Sequence, residues 1–370
     1  MRVELAVETP VVKTGRVLQL GGMFDVPVSE RAARSWSVDL PEPDEPWAIG
    51  LIVGSSGSGK STLARQHFGE HLVGGYEWPA DKAVVDGFPA GLDIKAITGA
   101  LSSVGFSSPP SWVQPFGRLS NGEQFRATLA RALLDPRDLI VIDEFSSVVD
   151  RTVAKIGSAA VAKAVRRQPG KRFVAVTCHD DVEEWLCPDW VVRMPDGSLT
   201  RRSLRRPPVA LEVRRVGTEA WHLFKRHHYL DASIHPAAAC FVALWEGRPV
   251  AFTAVVSRPG RVSFFGEHRT VCLPDFQGVG LGNGLSEFVA SLYKARKEYR
   301  STTSNPAMIH HRARSPLWRM TRAPSRVKFA RSEVTKQWIV THSRATDRMT
   351  AGFTYVGPPR PAEAKLLGVL

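Results

Sequence analysis

The run Gly54-Ser55-Ser56-Gly57-Ser58-Gly59-Lys60-Ser61-Thr62 has the residue types and spacing that close a loop around a phosphate chain. Successive backbone N–H groups cradle the phosphates, Lys60 reaches the outer ones, and the Ser61 hydroxyl is placed to bind magnesium. The apolar run 139–143 ends in Asp143, positioned to hold the metal through water, and Glu144 follows it, positioned to polarise the attacking water. ATP and Mg2+ are the expected cofactors. A third group, Gln277-Gly278-Val279-Gly280-Leu281-Gly282, sets close-spaced amides at a helix start, a geometry that favours a pyrophosphate. By itself that turn is also what a plain strand–helix corner looks like.

The elements that must position these groups are legible in outline. Ala48 to Val53 is a buried strand feeding the phosphate loop, and Thr62 to His71 the helix after it. Further apolar strands at 139–143 and 171–178, with a helix over 159–167, indicate a parallel sheet covered on both faces. Residues 1–50, with apolar runs at 3–7 and 11–20, read as small strands. The basic run 201–208 reads as a domain boundary. Beyond it come a strand at 209–213 and a helix over 218–229. Two strands, 241–245 and 249–256, are joined at Gly247; another, 268–273, enters the glycine turn. A helix over 283–294 and a strand at 299–304 follow.

In its first half the chain resembles the ATP-binding-cassette family over roughly residues 48–195. The signature hexapeptide is Leu119-Ser120-Asn121-Gly122-Glu123-Gln124, with Asn121 where glycine is usual; Ser146 to Asp150 matches the D-loop and His179 the switch histidine. The resemblance implies an ATP-dependent head-to-tail homodimer in which Ser120 and Gly122 contact ATP held by the partner's Gly54, Gly57, Gly59, Lys60, Ser61 and Thr62. Two departures are visible. Leu119 follows Lys60 by only 59 positions, so the helical subdomain is short. The usual glutamine loop is missing, with Asp86 in roughly its place, which points to a soluble cassette rather than one coupled to a transporter.

Charge is uneven: Lys and Arg balance Asp and Glu over residues 1–210, and the whole net charge of +13 falls on 211–370, with eight of the eleven histidines. Such a half attracts polyanions, nucleic acid first; a solvated basic face with a cofactor-phosphate pocket is the alternative. Basic residues crowd positions 296–331 with Trp318 and Phe329 among them and Trp338 nearby, a composition suited to phosphate contacts and base stacking. Four scattered cysteines suggest neither disulfides nor structural zinc, and no apolar run approaches a membrane span; a cytoplasmic protein without membrane contact is expected.

Over about residues 209–340 the chain resembles the GCN5-related acyltransferase family, whose acyl-coenzyme A loop Gln277 to Gly282 fits. The resemblance implies acetyl-CoA or another acyl-CoA bound by Gly278, Val279, Gly280, Leu281 and Gly282, and a splayed strand pair exposing the thioester. Candidate acid–base residues are His228 and Tyr229, Glu267 with His268 at the start of the entering strand, Asp275 before the turn, and Asn305 after the next strand. Each has a plain alternative: solvated histidines, a turn former at Asp275, a helix cap at Asn305. A few motifs, His227-His228-Tyr229-Leu230 above all, also resemble the phage Mu DNA-adenine modification protein family, which implies a DNA base as acceptor.

The expected architecture is therefore α/β: a cassette ATPase domain over 1–205, an acyltransferase-like α/β domain with a mixed sheet over 209–345, and an extension over 346–370. The expected function is ATP-dependent, acyl-CoA-using modification of a nucleic-acid base, DNA favoured over RNA. N-acylation of a protein or small amine gated by ATP, or ATP-dependent nucleic-acid binding without transfer, are the rival readings.

Overall fold

The computed structural model describes residues 1–370 except 202–204, 229, 231, 260–262 and 327–348. The chain divides into two compact units, Met1–Tyr76 with Ala132–Pro207 and Glu77–Arg131 with Pro208–Leu370. It changes unit three times, where breaks near 205 and 345 were expected, because residues 77–131 of the ATPase-like sequence group with the second half.

In the first unit β1 (Arg2–Pro10) and β2 (Arg31–Asp39) pair antiparallel along their whole length. The apolar run 11–20, expected as strand, instead enters helix α1 (Gly15–Phe24). Thr14 caps that helix by accepting from the Val17 N–H at 3.3 Å, a local bond that decides in favour of helix. Next come β3 (Ile49–Gly54), α2 (Lys60–Phe68) and β4 (Leu72–Val73). The chain then supplies α3 (Ile94–Ser103), α4 (Pro109–Trp112) and most of α5 (Asn121–Leu133) to the second unit. It resumes the first with β5 (Leu139–Ile142), α6 (Arg151–Val165), β6 (Arg172–Thr177), α7 (Glu183–Leu186), β7 (Trp190–Met194) and β8 (Ser198–Arg201).

These strands form one sheet in the order β4-β5-β6-β3-β7-β8, parallel except for β8. Ile52, Leu63, Val141, Val174 and Val192 are fully buried at its centre, which is why β3 and β5 read as unbroken apolar runs. Parallel pairing puts the C-terminal ends of β3, β5 and β6 at one edge, where open sheets of this kind bind ligands.

The second unit adds β9 (Glu212–Val216), α8 (Trp221–Phe224), β10 (Ala239–Trp245), β11 (Arg248–Arg258), β12 (Phe264–Cys272), α9 (Leu281–Lys294), β13 (Tyr299–Thr303), α10 (Pro306–Arg314), β14 (Trp318–Arg326), β15 (Met349–Tyr355) and α11 (Pro361–Leu366). Its sheet runs β14-β15-β13-β12-β11-β10-β9, and β12–β13 is the parallel pair. That pair is laddered only at Phe265↔Tyr299 and Gly266↔Arg300, so the strands part from Glu267 onward. The segment read as an extension supplies β15, an inner strand between β13 and β14.

The helix expected over 218–229 is broken into short turns around α8, and His228 is extended at φ −95° and ψ 110°. Trp221 and Phe224 are buried there against Phe252, so burial of two rings, rather than helical periodicity, fixes the segment. Tyr229 lies outside the described residues.

Candidate functional site

In the first unit the phosphate loop leaves β3 and enters α2 through Gly57 at φ 75° and Gly59 at φ 98°. Both values lie where side chains are strained. A Cβ on Gly59 would also meet the Trp36 ring at 2.8 Å, so the turn has no room for any other residue. Lys60 Nζ donates to Ser55 O at 2.6 Å, which folds the ammonium over the loop. Arg34 Nη1 donates to Gly57 O at 3.3 Å. Arg34, Trp36 and Ser55 to Ser58 line a cavity of about 350 Å³ with Pro195. Sequence reading missed Trp36 and Arg34; an aromatic on an exposed hairpin carries no local motif.

Asp143 and Glu144 follow β5 at the same edge. The Glu144 N–H donates to Asp143 Oδ1 at 2.9 Å, and Ser147 Oγ donates to Glu144 O at 2.7 Å. The Phe145 N–H donates to Val176 O at 2.8 Å, tying this turn to β6. His179 follows β6, its N–H donating to Thr177 Oγ1 at 3.2 Å. Arg151, just after the D-loop, donates from Nε to Asp181 at 3.0 Å and joins that loop to the switch segment. Burial pushes the Asp181 carboxyl up, but Arg151 and Lys155 outweigh it and hold it below its ordinary value. The Ser61 hydroxyl, one residue into α2, and the Asp143 carboxylate are hard oxygen donors of the kind magnesium takes.

Ser120 and Gly122 belong to the second unit. Ser120 and Glu123 cap α5 reciprocally: the Ser120 N–H donates to Glu123 at 3.0 Å and the Glu123 N–H to Ser120 Oγ at 3.4 Å. Glu123 of the signature hexapeptide is thus a helix-starting residue, and Ser111 Oγ donates to it at 2.8 Å.

Around the glycine turn, Gly278 (φ 100°) and Gly280 (φ 96°) take the left-handed backbone, and Gly280 opens α9. Val279 and Leu281 are buried, leaving the backbone as the surface a ligand would meet. Gln277 Nε2 donates to Cys272 O at 2.9 Å. A Cβ on Gly282 would come to 3.2 Å of Cys272 Cβ, so that glycine serves close packing.

Glu267 is not the open base expected. Its side chain is 6% exposed and sits 2.9 Å from Arg312, itself 1% exposed, in the gap where β12 and β13 part. Thr270 (2.6 Å), Ser286 (2.7 Å) and Ser301 donate to the same carboxylate. Burial pushes its proton affinity up; Arg312 and the three hydroxyls more than reverse this and hold Glu267 ionised. A carboxylate so paired is a structural ion, and Arg312, read only as one of the basic residues of 296–331, was not recognised as its partner because the two lie 45 residues apart.

Asn305 caps α10, accepting from the Met308 N–H at 3.2 Å. Asp275 lies in a tight turn whose carbonyl accepts from Arg126 at 3.2 Å. Burial, then Arg226, lowers His227, against Asp275 and Glu123. Much of the basic stretch is internally used: Arg296 donates to Val369 O at 3.0 Å, Arg300 pairs with Glu298 at 2.7 Å, and His311 faces Glu287 at 2.8 Å. Trp318 is buried beneath Arg312, 4.3 Å from ring centre to guanidinium, and is no stacking platform. Lys328, Phe329, Arg331 and Trp338 lie outside the described residues.

His268 accepts from the His235 N–H at 3.1 Å, and burial, aided by Arg269 and Arg258, lowers its imidazole to about 4. The folded chain therefore holds His268 neutral while the unfolded chain protonates it near 6.5. Stability contributed by this group is full above that value and is lost as pH falls towards 4. Melting temperature should drop across that window, and His268→Gln should flatten the drop. An unchanged slope in the variant removes His268 as its cause.

Among the described residues no three His, Cys, Asp or Glu side chains gather as metal ligands, and no helix is long and apolar enough to cross a membrane.

No family model matches the chain. It is 32% identical over 181 residues to the aliphatic sulfonates import ATP-binding protein SsuB 2 of Paracoccus denitrificans (strain Pd 1222), covering 44% of this chain and 70% of that one. It is 32% identical over 170 residues to aliphatic sulfonates import ATP-binding protein SsuB 3 of Nocardia farcinica (strain IFM 10152), covering 40% of this chain and 66% of that one. A solved bacterial Atm1-family ABC exporter with ATP bound matches at 17% identity and a TM-score of 0.34, over 42% of this chain and 34% of that one.

Proposed function

This chain belongs to the ABC-transporter-type P-loop ATPase family, and from that premise we propose that it hydrolyses ATP at the edge formed by β3, β5 and β6. The carrying observation is the convergence of the phosphate loop, Asp143–Glu144 and His179 on one end of a parallel sheet. Lys60 draws charge from the outer phosphates, and Ser61 and Asp143 hold magnesium, which supplies Lewis-acid polarisation when bound. Glu144 takes the proton of the attacking water, and Trp36 offers a ring face to the base. Ser120 and Gly122 serve the ATP of a partner protomer.

For the second unit we propose acyl-CoA-dependent transfer, with a nucleic acid as acceptor. Support comes from the order of elements, the parting of β12 from β13 beside a left-handed glycine turn, and the positive charge of the second half. The acid–base roles of His228, Tyr229 and Asp275 stay within this proposal. Import of sulfonates, the role named for the relatives, is not carried over, since the arm 77–131 groups here with the second half of the chain.

Phosphate release from Mg–ATP, alone and with duplex DNA or RNA added, tests both parts. Release should vanish in Lys60→Ala and rise when DNA is added. No release by the unaltered chain ends the ATPase reading; release indifferent to DNA and RNA transfers the acceptor to a protein or small amine.

A further inference from the structure

The arm that carries the signature motif also grips the glycine turn. Helix α3 ends in a left-handed Gly105 at φ 85°, with the Phe106 N–H returning to Leu101 O at 2.9 Å. Gly105 lies so close to the turn that a Cβ there would sit 2.4 Å from Gln277 O and 3.0 Å from Gly278 N. Two residues on, the Ser107 N–H donates to Gln277 Oε1 at 3.1 Å. Gln277 thus bridges the arm and the end of β12 with its two amide atoms, an orientation set by this pair of bonds. From α5, Arg126, 1% exposed, donates to Asp275 O at 3.2 Å, and α3 also packs on α10. Ser120 and Gly122 stand at the start of the same α5.

We propose that Gly105, Ser107 and Arg126 are positioning residues for the turn 275–278, and that through them nucleotide engagement at Ser120 and Gly122 is linked to binding of a pyrophosphate-bearing cofactor at 278–282. Three contacts from one short arm fix both flanks of the turn, so the arm cannot shift without moving the turn. Close-packed segments of this kind pass on displacements rather than absorbing them. Linkage is reciprocal: if nucleotide alters cofactor affinity, cofactor alters nucleotide affinity by the same factor. The inference rests on the acyl-CoA reading for the identity of the ligand, but not for the contacts.

The test uses the full chain, Gly105→Ala as a wedge between arm and turn, and Gly99→Ala as a control on the same helix, where an added Cβ meets nothing within 4 Å. Coenzyme A binding and hydrogen exchange of the amides 278–284 are measured with and without a non-hydrolysable ATP analogue and Mg2+. Expected for the unaltered chain and Gly99→Ala is a change of about fivefold or more in the coenzyme A dissociation constant, with altered exchange at the turn. In Gly105→Ala both responses should fall below about twofold, with analogue binding retained.

Exchange that responds to nucleotide in a chain that binds no coenzyme A would sustain the linkage and sink the cofactor reading. Coenzyme A binding that ignores nucleotide, with unchanged exchange, overturns the linkage. So does a full response in Gly105→Ala. Should that variant not fold, Gln277→Leu removes the acceptor of the Ser107 N–H, and a full response there overturns the proposal equally.

Discussion

Glu144→Gln lowers phosphate release by about 10²–10⁴-fold, the usual worth of a positioned general base, and leaves ATP binding intact. The substitution preserves size and the local turn. Glu144 has φ 53°, and its conformation is held by backbone bonds, N–H to Asp143 Oδ1 and O from Ser147 Oγ, that an amide side chain does not disturb. What is lost is the ability to accept a proton from water. With hydrolysis blocked and binding preserved, the variant should accumulate as an ATP-bound homodimer, visible by sedimentation with Mg–ATP. Release within threefold of the unaltered chain would take the base role from Glu144. Failure to bind ATP would mean that the turn, rather than the chemistry, had been damaged.

Arg312→Met destabilises the second unit by about 3–5 kcal/mol, the cost of leaving a buried charge without its partner. Glu267 would then be ionised in the gap between β12 and β13 with only the Thr270, Ser286 and Ser301 hydroxyls around it. The guanidinium also lies over Trp318 and donates to Ser286 at 2.8 Å, so packing and polar satisfaction fail together. Urea unfolding of the full chain reads the loss. Pairing Arg312→Met with Glu267→Gln should restore part of it, because the stranded charge is gone. A single variant as stable as the unaltered chain would show that the pair is not a structural ion pair, and would reopen Glu267 as a base.

These two residues mark how far the sequence could be read. Glu144 was assignable because everything that defines it is local: an apolar strand, two carboxylates, a turn. Glu267 was expected at the start of its strand, but β12 already begins at Phe264, so the residue lies within the strand, where β12 leaves β13. Its role was not legible, because the arginine that neutralises it arrives on α10 from 45 residues away. Asn305 goes the other way: of its two sequence readings, acid–base residue or helix cap, the backbone makes it the cap of α10. Part of the basic stretch looked like one surface, yet Arg296, Arg300, His311 and Arg312 each face an internal partner.

By itself the sequence determined the phosphate loop, the strand-end carboxylates, the signature and the place of the glycine turn. Each depends on backbone conformations and spacings set within a few residues. Only the tertiary structure decided that residues 77–131 join the second half and that Gln277 and Asp275 are held from that arm. Those bonds link positions 170 and 149 residues apart, and a contact so distant leaves no periodicity in the chain that makes it.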